Sequence, residues 1–142
     1  MNRVAIHNIQ PAAYQAMFGL EKYLETVDLS GQLLELIKTR ASQINGCAYC
    51  IQMHSKAAQK QNETIDRLFA LPAWKESDLF TDEERSALAL TEEVTLISRH
   101  GVSDAVYRDI EKHFNEVQTA QLIMAITIIN AWNRIAVTTH AQ

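Results

Sequence analysis

The sequence predicts an all-α fold, and three observations carry that expectation. Apolar residues recur at helical spacing along most of the chain, while the alternation of a half-buried strand is scarce. Four glycines and two prolines among 142 residues leave little material for tight hairpins. Several periodic runs also open on Ser, Thr or Asn, the residues that cap helix N-termini.

About seven helices follow in order. Pro11 suits the first turn of a helix to about Val27, with Ala13, Ala16, Met17, Leu20 and Leu24 on one side. Ser30 is the expected N-cap of a second helix reaching Ile44, where Asn45-Gly46 stops it by tolerating the left-handed cap conformation. Its apolar stripe is Leu33, Ile37, Ala41 and Ile44. A third helix starts at about Cys47 and runs to Lys60 or Gln61. Asn62 is the expected cap of a short fourth one that Pro72 ends, and PAWKESDLF reads as a surface loop anchored by Trp74 and Phe80. Thr81 and Glu84 form a capping box for a fifth helix that stops near His100-Gly101. Ser103 caps a sixth, to about Phe114. Thr119 starts a seventh, apolar on nearly all sides, which belongs in the centre of a bundle or in a subunit interface. Met17, Met53 and Met124 sit at apolar positions and are expected in the core.

Composition bounds the function. One domain is expected over residues 1–142. Apolar residues make up 47% and charged residues 21%, as in an ordinary soluble protein. The net charge of −4 and the lack of a basic run argue against nucleic acid as a partner. The N-terminus lacks the apolar core of a signal peptide, and the run Leu122 to Ile129 is too short to span a bilayer. The expectation is a cytoplasmic protein with no membrane partner. There a C-x-x-C pair is more often redox-active or metal-binding than a structural disulfide. Two cysteines cannot make a four-cysteine zinc site within one chain.

Those two are Cys47 and Cys50, and His54 follows. Positions i, i+3 and i+7 share one helix face, with Cys50 and His54 as the closer i, i+4 pair. The cluster starts at a helix N-terminus, where unpaired N–H groups and the helix dipole favour an anion, here a thiolate. Cysteine pKa values at such sites fall to roughly 3.5–7.5, which frees the species that attacks peroxides and disulfides. By local chemistry the pair admits three readings: a redox dithiol, half a metal site, or two packed small residues. His54 alone reads as a solvated helix-face histidine. A metal would need a further ligand from Glu35, His7, His100, His113 or His140, none at a diagnostic spacing. Asn130 and Asn133, three apart in the last helix, read as hydrogen-bonding groups rather than catalytic ones.

The stretch NGCAYCIQMH resembles the core motif of the AhpD-like alkylhydroperoxidase family, within the carboxymuconolactone decarboxylase superfamily. That pattern is a glutamate, eleven residues, then C-x-x-C-x-x-x-H. Glu35 lies twelve positions before Cys47, and Cys50 and His54 follow at the family spacing. LLELIKTRASQINGCAYC, LPAWKESDLFTDEERSALALTEEVT and INAWNRIAV are similar to the family's flanking segments, so the resemblance covers roughly residues 30 to 137. It implies an all-α fold with the pair at a helix start, trimers or hexamers, and thiol-dependent peroxidase activity needing neither cofactor nor metal. Carried over, Cys50 attacks a hydroperoxide, Cys47 resolves, and His54 with Glu35 relays the proton; a thiol or lipoyl-type donor restores the dithiol. Spacing alone makes Glu35 a solvated carboxylate opposite the apolar stripe, so its role requires that its face be covered. Tyr49 departs from the pattern, since the best-known members carry histidine there. A tyrosine of ordinary pKa near 10 is a poor shuttle at neutral pH. The same cysteines would serve a non-peroxidase disulfide reductase or redox sensor, or help hold a structural metal in an interaction protein. Lactone decarboxylation is the remaining alternative, although decarboxylase members generally lack this pair.

Overall fold

The computed structural model describes residues 1–142 and contains nine α-helices, one 3-10 helix and no strand. In chain order these are α1 (Ile6–Ile9), α2 (Pro11–Leu24), α3 (Gly31–Ile44), α4 (Ala48–Lys60), α5 (Ile65–Ala70), the 3-10 helix (Leu71–Glu76), α6 (Asp82–Thr95), α7 (Ile97–His100), α8 (Asp104–His113) and α9 (Glu116–Thr139). All seven expected helices are present. The count rises because α1 adds one turn at the N-terminus and because the fifth helix breaks at Leu96, a non-helical residue that separates α6 from α7.

α3 is the centre of the fold. Leu33 and Ile37 pack with Leu90, Ile110, Leu122 and Ile126 of α6, α8 and α9. Leu36 packs with Leu71, Trp74, Phe80 and Leu88. Leu34 packs with Leu24 of α2 and with Ala125 and Ile128 of α9. One helix thus presents an apolar group to each of three clusters, and each fully buried Leu or Ile among them contributes about 1.5–3 kcal/mol. Trp74 and Phe80 are buried anchors, as expected, although residues 71–76 coil into a 3-10 helix rather than an open loop.

Several boundaries differ from expectation for local reasons. The N-cap of α5 is Thr64, whose hydroxyl accepts the Arg67 N–H. Asn62 instead ends α4: it adopts φ +67°, its N–H reaches the Gln59 carbonyl, and Glu63 N–H reaches the Ala58 carbonyl. The last helix starts at Glu116, not Thr119, because Asn115 and Gln118 close a capping box. α2 ends at Leu24; of its expected stripe Leu24 is buried, Met17 and Leu20 are half-buried, and Ala13 and Ala16 are exposed. Met53 and Met124 are also exposed, because they lie on outward faces of α4 and α9.

Among the helices α9 is long and apolar enough to cross a membrane by length and composition. It is instead the partner of α2, α3, α6 and α8 inside the bundle, with Asn130 and Asn133 buried on its inner face.

Candidate active site

The turn between α3 and α4 builds the site. Gly46, at φ +64°, donates its N–H to the Gln43 carbonyl, and Cys47 N–H donates to the Ser42 carbonyl. These two bonds are the Schellman pattern, which ends α3 in one residue and reverses the chain. Cys47 then serves as the N-cap of α4, its Sγ accepting the Cys50 N–H at 3.3 Å. Cysteine is a rare cap, and a sulfur here lies where the helix dipole favours negative charge. Cys50 occupies the first turn. The two are joined in a disulfide, their Cα atoms 5.2 Å apart, and each residue is only 2% exposed.

The chain reversal lays α4 back along α3. That brings His54, one turn after Cys50, against Glu35: His54 Nδ1 lies 2.9 Å from Glu35 Oε2. Both side chains are largely buried. The face that spacing marked as solvated is therefore covered, and by α4 of the same chain. The helix-face histidine is likewise buried rather than solvated.

Burial works to raise the Glu35 carboxyl. The hydrogen bond to His54 and the nearby Lys38 ammonium outweigh it and hold the carboxyl below its ordinary value of 4.5. An ionised Glu35 can only accept, so Nδ1 of His54 carries the proton and Nε2 of a neutral ring keeps its lone pair. Nε2 makes no protein hydrogen bond, yet the only buried side-chain N or O without a partner is Ser86 Oγ. Solvent therefore reaches Nε2. No hydrogen bond joins His54 to either sulfur in the disulfide state.

A polar network fixes the turn from behind. Asn45 Nδ2 donates to Asn130 Oδ1 and Asn133 Oδ1, each at 2.9 Å. Asn133 Nδ2 donates to Ser42 Oγ at 3.0 Å, and Asn130 Nδ2 to Thr95 Oγ1 at 3.0 Å. The two α9 asparagines are thus hydrogen-bonding groups, as expected, and they bind side chains of the α3 end and of α6. The signal available in sequence was a pair of amides in an otherwise apolar helix, where an unpaired polar group is costly.

The remaining histidines lie elsewhere. His7 stacks edge-on to Tyr14, His100 is exposed beside the Gly101 carbonyl, His113 ends α8, and His140 caps α9. No group of three or more His, Cys, Asp or Glu side chains is arranged to hold a metal ion. Tyr49 is 41% exposed, beside the pair but pointing to solvent.

The comparisons with known proteins bear on the family and the fold. The family model for the carboxymuconolactone decarboxylase family matches residues 11–93. The chain is 42% identical over 135 residues to the uncharacterized protein YdfG of Bacillus subtilis (strain 168), covering 95% of this chain and 92% of that one. It is similar, at 34% identity and TM-score 0.96, to the crystal structure of ATU0492 from Agrobacterium tumefaciens, a protein of unknown function assigned to the antioxidant defence protein AhpD; the match covers 100% of this chain and 97% of that one. The debrominase Bmp8 shares the fold at TM-score 0.85 and 20% identity, over 95% of this chain and 72% of its own. An all-α fold with a cysteine pair at a capped helix start, a family match over more than half its length and a relative 42% identical over 95% of it place the chain in the carboxymuconolactone decarboxylase family, as an AhpD-like member.

Proposed function

We propose that this protein reduces hydroperoxides through a Cys47–Cys50 dithiol–disulfide cycle. The observation that supports it most is the 2.9 Å contact of Glu35 with His54, one turn along α4 from the attacking thiol. His54 Nε2, directly or through a water, takes the Cys50 proton. The thiolate attacks one peroxide oxygen: an S–O bond forms, the O–O bond breaks, and the alkoxide leaves as alcohol by taking the proton from the imidazolium. Cys47 gives up its thiol proton and attacks the sulfenic sulfur: an S–S bond forms, the S–O bond breaks, and hydroxide leaves as water by taking that proton. A thiol or lipoyl-type donor supplies two electrons and two protons to restore the dithiol.

The test is hydroperoxide consumption with candidate donors in parent, Cys47→Ser and Cys50→Ser proteins. The parent loses two thiols per first turnover. Cys50→Ser is inactive, and Cys47→Ser accumulates a sulfenic acid on Cys50. An active Cys50→Ser protein overturns the assignment.

Exposed Tyr49 favours a second reading, a dithiol oxidoreductase acting on disulfides. Tyr49 faces solvent beside the pair, where a partner disulfide would approach, and thiol–disulfide exchange starts from the same Cys50 thiolate. Faster turnover on a lipoyl or protein disulfide than on any peroxide selects it. Under either reading the protein works as a cytoplasmic homo-oligomer, a trimer or hexamer. Phe18 and Phe69, the latter 80% exposed, are apolar surface that assembly would cover. Light scattering that returns the mass of one chain removes this part.

A further inference from the structure

Glu35 and His54 end a longer chain of charges. Lys38, one turn on along α3, is only 8% exposed. Its Nζ lies 3.4 Å from Glu35 Oε1 and 3.9 Å from Glu21 Oε2. Glu21 belongs to α2, and its other oxygen accepts the Trp132 Nε1–H of α9 at 2.9 Å. A buried ammonium requires an anion, and one carboxylate would suffice. Lys38 has two, on different helices, and only Glu35 touches the histidine.

We propose that Lys38 is a positioning residue of the thiol site: divided between Glu21 and Glu35, it keeps Glu35 an ionised acceptor and so keeps the His54 imidazole aligned for the Cys50 thiol. The proposal rests on the dithiol reading above. The charged groups in contact with Glu35 are Lys38 on its own helix and His54 on α4; Glu21 of α2 reaches it through Lys38 and is itself held by the Trp132 indole of α9, and Arg134 of α9 lies behind the α3–α4 turn on Asn130 Oδ1. Removing Lys38 takes positive charge away from every acid in the site, which disfavours each anion, the thiolate included. Removing the Glu21 charge does the reverse and leaves Lys38 wholly to Glu35. A merely structural salt bridge gives no such opposition, because loss of either partner loosens the site alike.

The experiment is the rate of iodoacetamide alkylation of Cys50 in the reduced full-length protein, followed by peptide mass between about pH 5 and pH 10, the range spanning thiol titration. Lys38→Met moves the midpoint up by about half a pH unit or more, Glu21→Gln moves it down, and Lys38→Arg holds the parent value. Midpoints that do not move, or that move together, overturn the proposal. Should Lys38→Met fail to fold, Glu21→Gln and Lys38→Arg decide: a downward shift in the first with none in the second supports it, and any other result overturns it. The readout uses no peroxide. A peroxide-inert protein with opposed shifts keeps Lys38 in its role and removes only the peroxidase reading, whereas an active protein with fixed midpoints removes only the role.

Discussion

A carboxylate on the polar side of an amphipathic helix is ordinarily solvated, and Glu35 departs from this because α4 folds back over it. Its charge survives there through two donors, the His54 ring and the Lys38 ammonium. Glu35→Gln keeps the shape and removes the charge. The amide can donate to Nδ1, which puts the ring proton on Nε2 and leaves no lone pair for the thiol. Peroxide turnover at pH 7 is expected to fall about 100-fold, the usual worth of an aligned general base, with α-helical circular dichroism unchanged. Turnover within about twofold of the parent would show that the Glu35–His54 contact is architectural. The cysteines and His54 were legible as a cluster from their spacing, but spacing alone left redox, metal and packing readings open and read His54 as solvated, where it is buried. Glu35 was legible only through the family pattern, since spacing describes a helix's own faces and not what covers them. Lys38 was not legible at all: an isolated lysine in an amphipathic helix reads as solvated until its two carboxylates are located on α2 and α3.

At the scale of an element, the α3–α4 turn decides where the cysteines sit. Gly46 holds φ +64°, and nothing lies within 4 Å of where a Cβ would stand. The cost of Gly46→Ala is therefore backbone strain alone, about 1 kcal/mol, read as a lower urea midpoint. Gly19 in α2 also has open space but ordinary helical backbone. Gly19→Ala is expected to stabilise by about 0.5–1 kcal/mol, because it lowers the entropy of the unfolded chain. Equal signs for the two substitutions would contradict the conformational argument. Asn45-Gly46 was readable as a helix stop because few residues accept the left-handed region. Asn62 was harder, since an asparagine both caps N-termini and adopts φ above zero; here it finishes α4 while Thr64 starts α5. The choice depends on where the preceding helix runs out, and local sequence does not say.

For the whole molecule, α3 and α9 carry the core while ionic ties close the periphery around them. α9 was readable as a bundle-centre or interface helix from its nearly continuous apolar surface; its polar side chains reaching Asn45, Ser42 and Thr95 were not, because tertiary amide pairing leaves no periodic trace. The ties have a pH dependence that follows from sign. Glu92 is partly buried, which works to raise its carboxyl, but the bond from the Trp74 indole and the Arg40 guanidinium hold it below 4.5 in the fold. Glu35 is lowered likewise. A carboxyl with a depressed folded value contributes stability that is fully present above its unfolded pKa and is lost as pH falls through the folded value. Arg67, held above its ordinary value by Glu84 and Glu63 against the effect of burial, keeps its charge throughout the acid range and adds no slope there. Stability to urea should therefore be level from pH 7 to about pH 5 as far as these groups are concerned, and fall below that. Glu92→Gln breaks the tie of α6 to Arg40, Trp74 and Lys75, costs about 2 kcal/mol at pH 7, and flattens the acid fall, since one depressed carboxyl is gone. A Glu92→Gln protein that loses stability equally at pH 7 and at about pH 3 would mean that the carboxylate acts through packing and not through its charge.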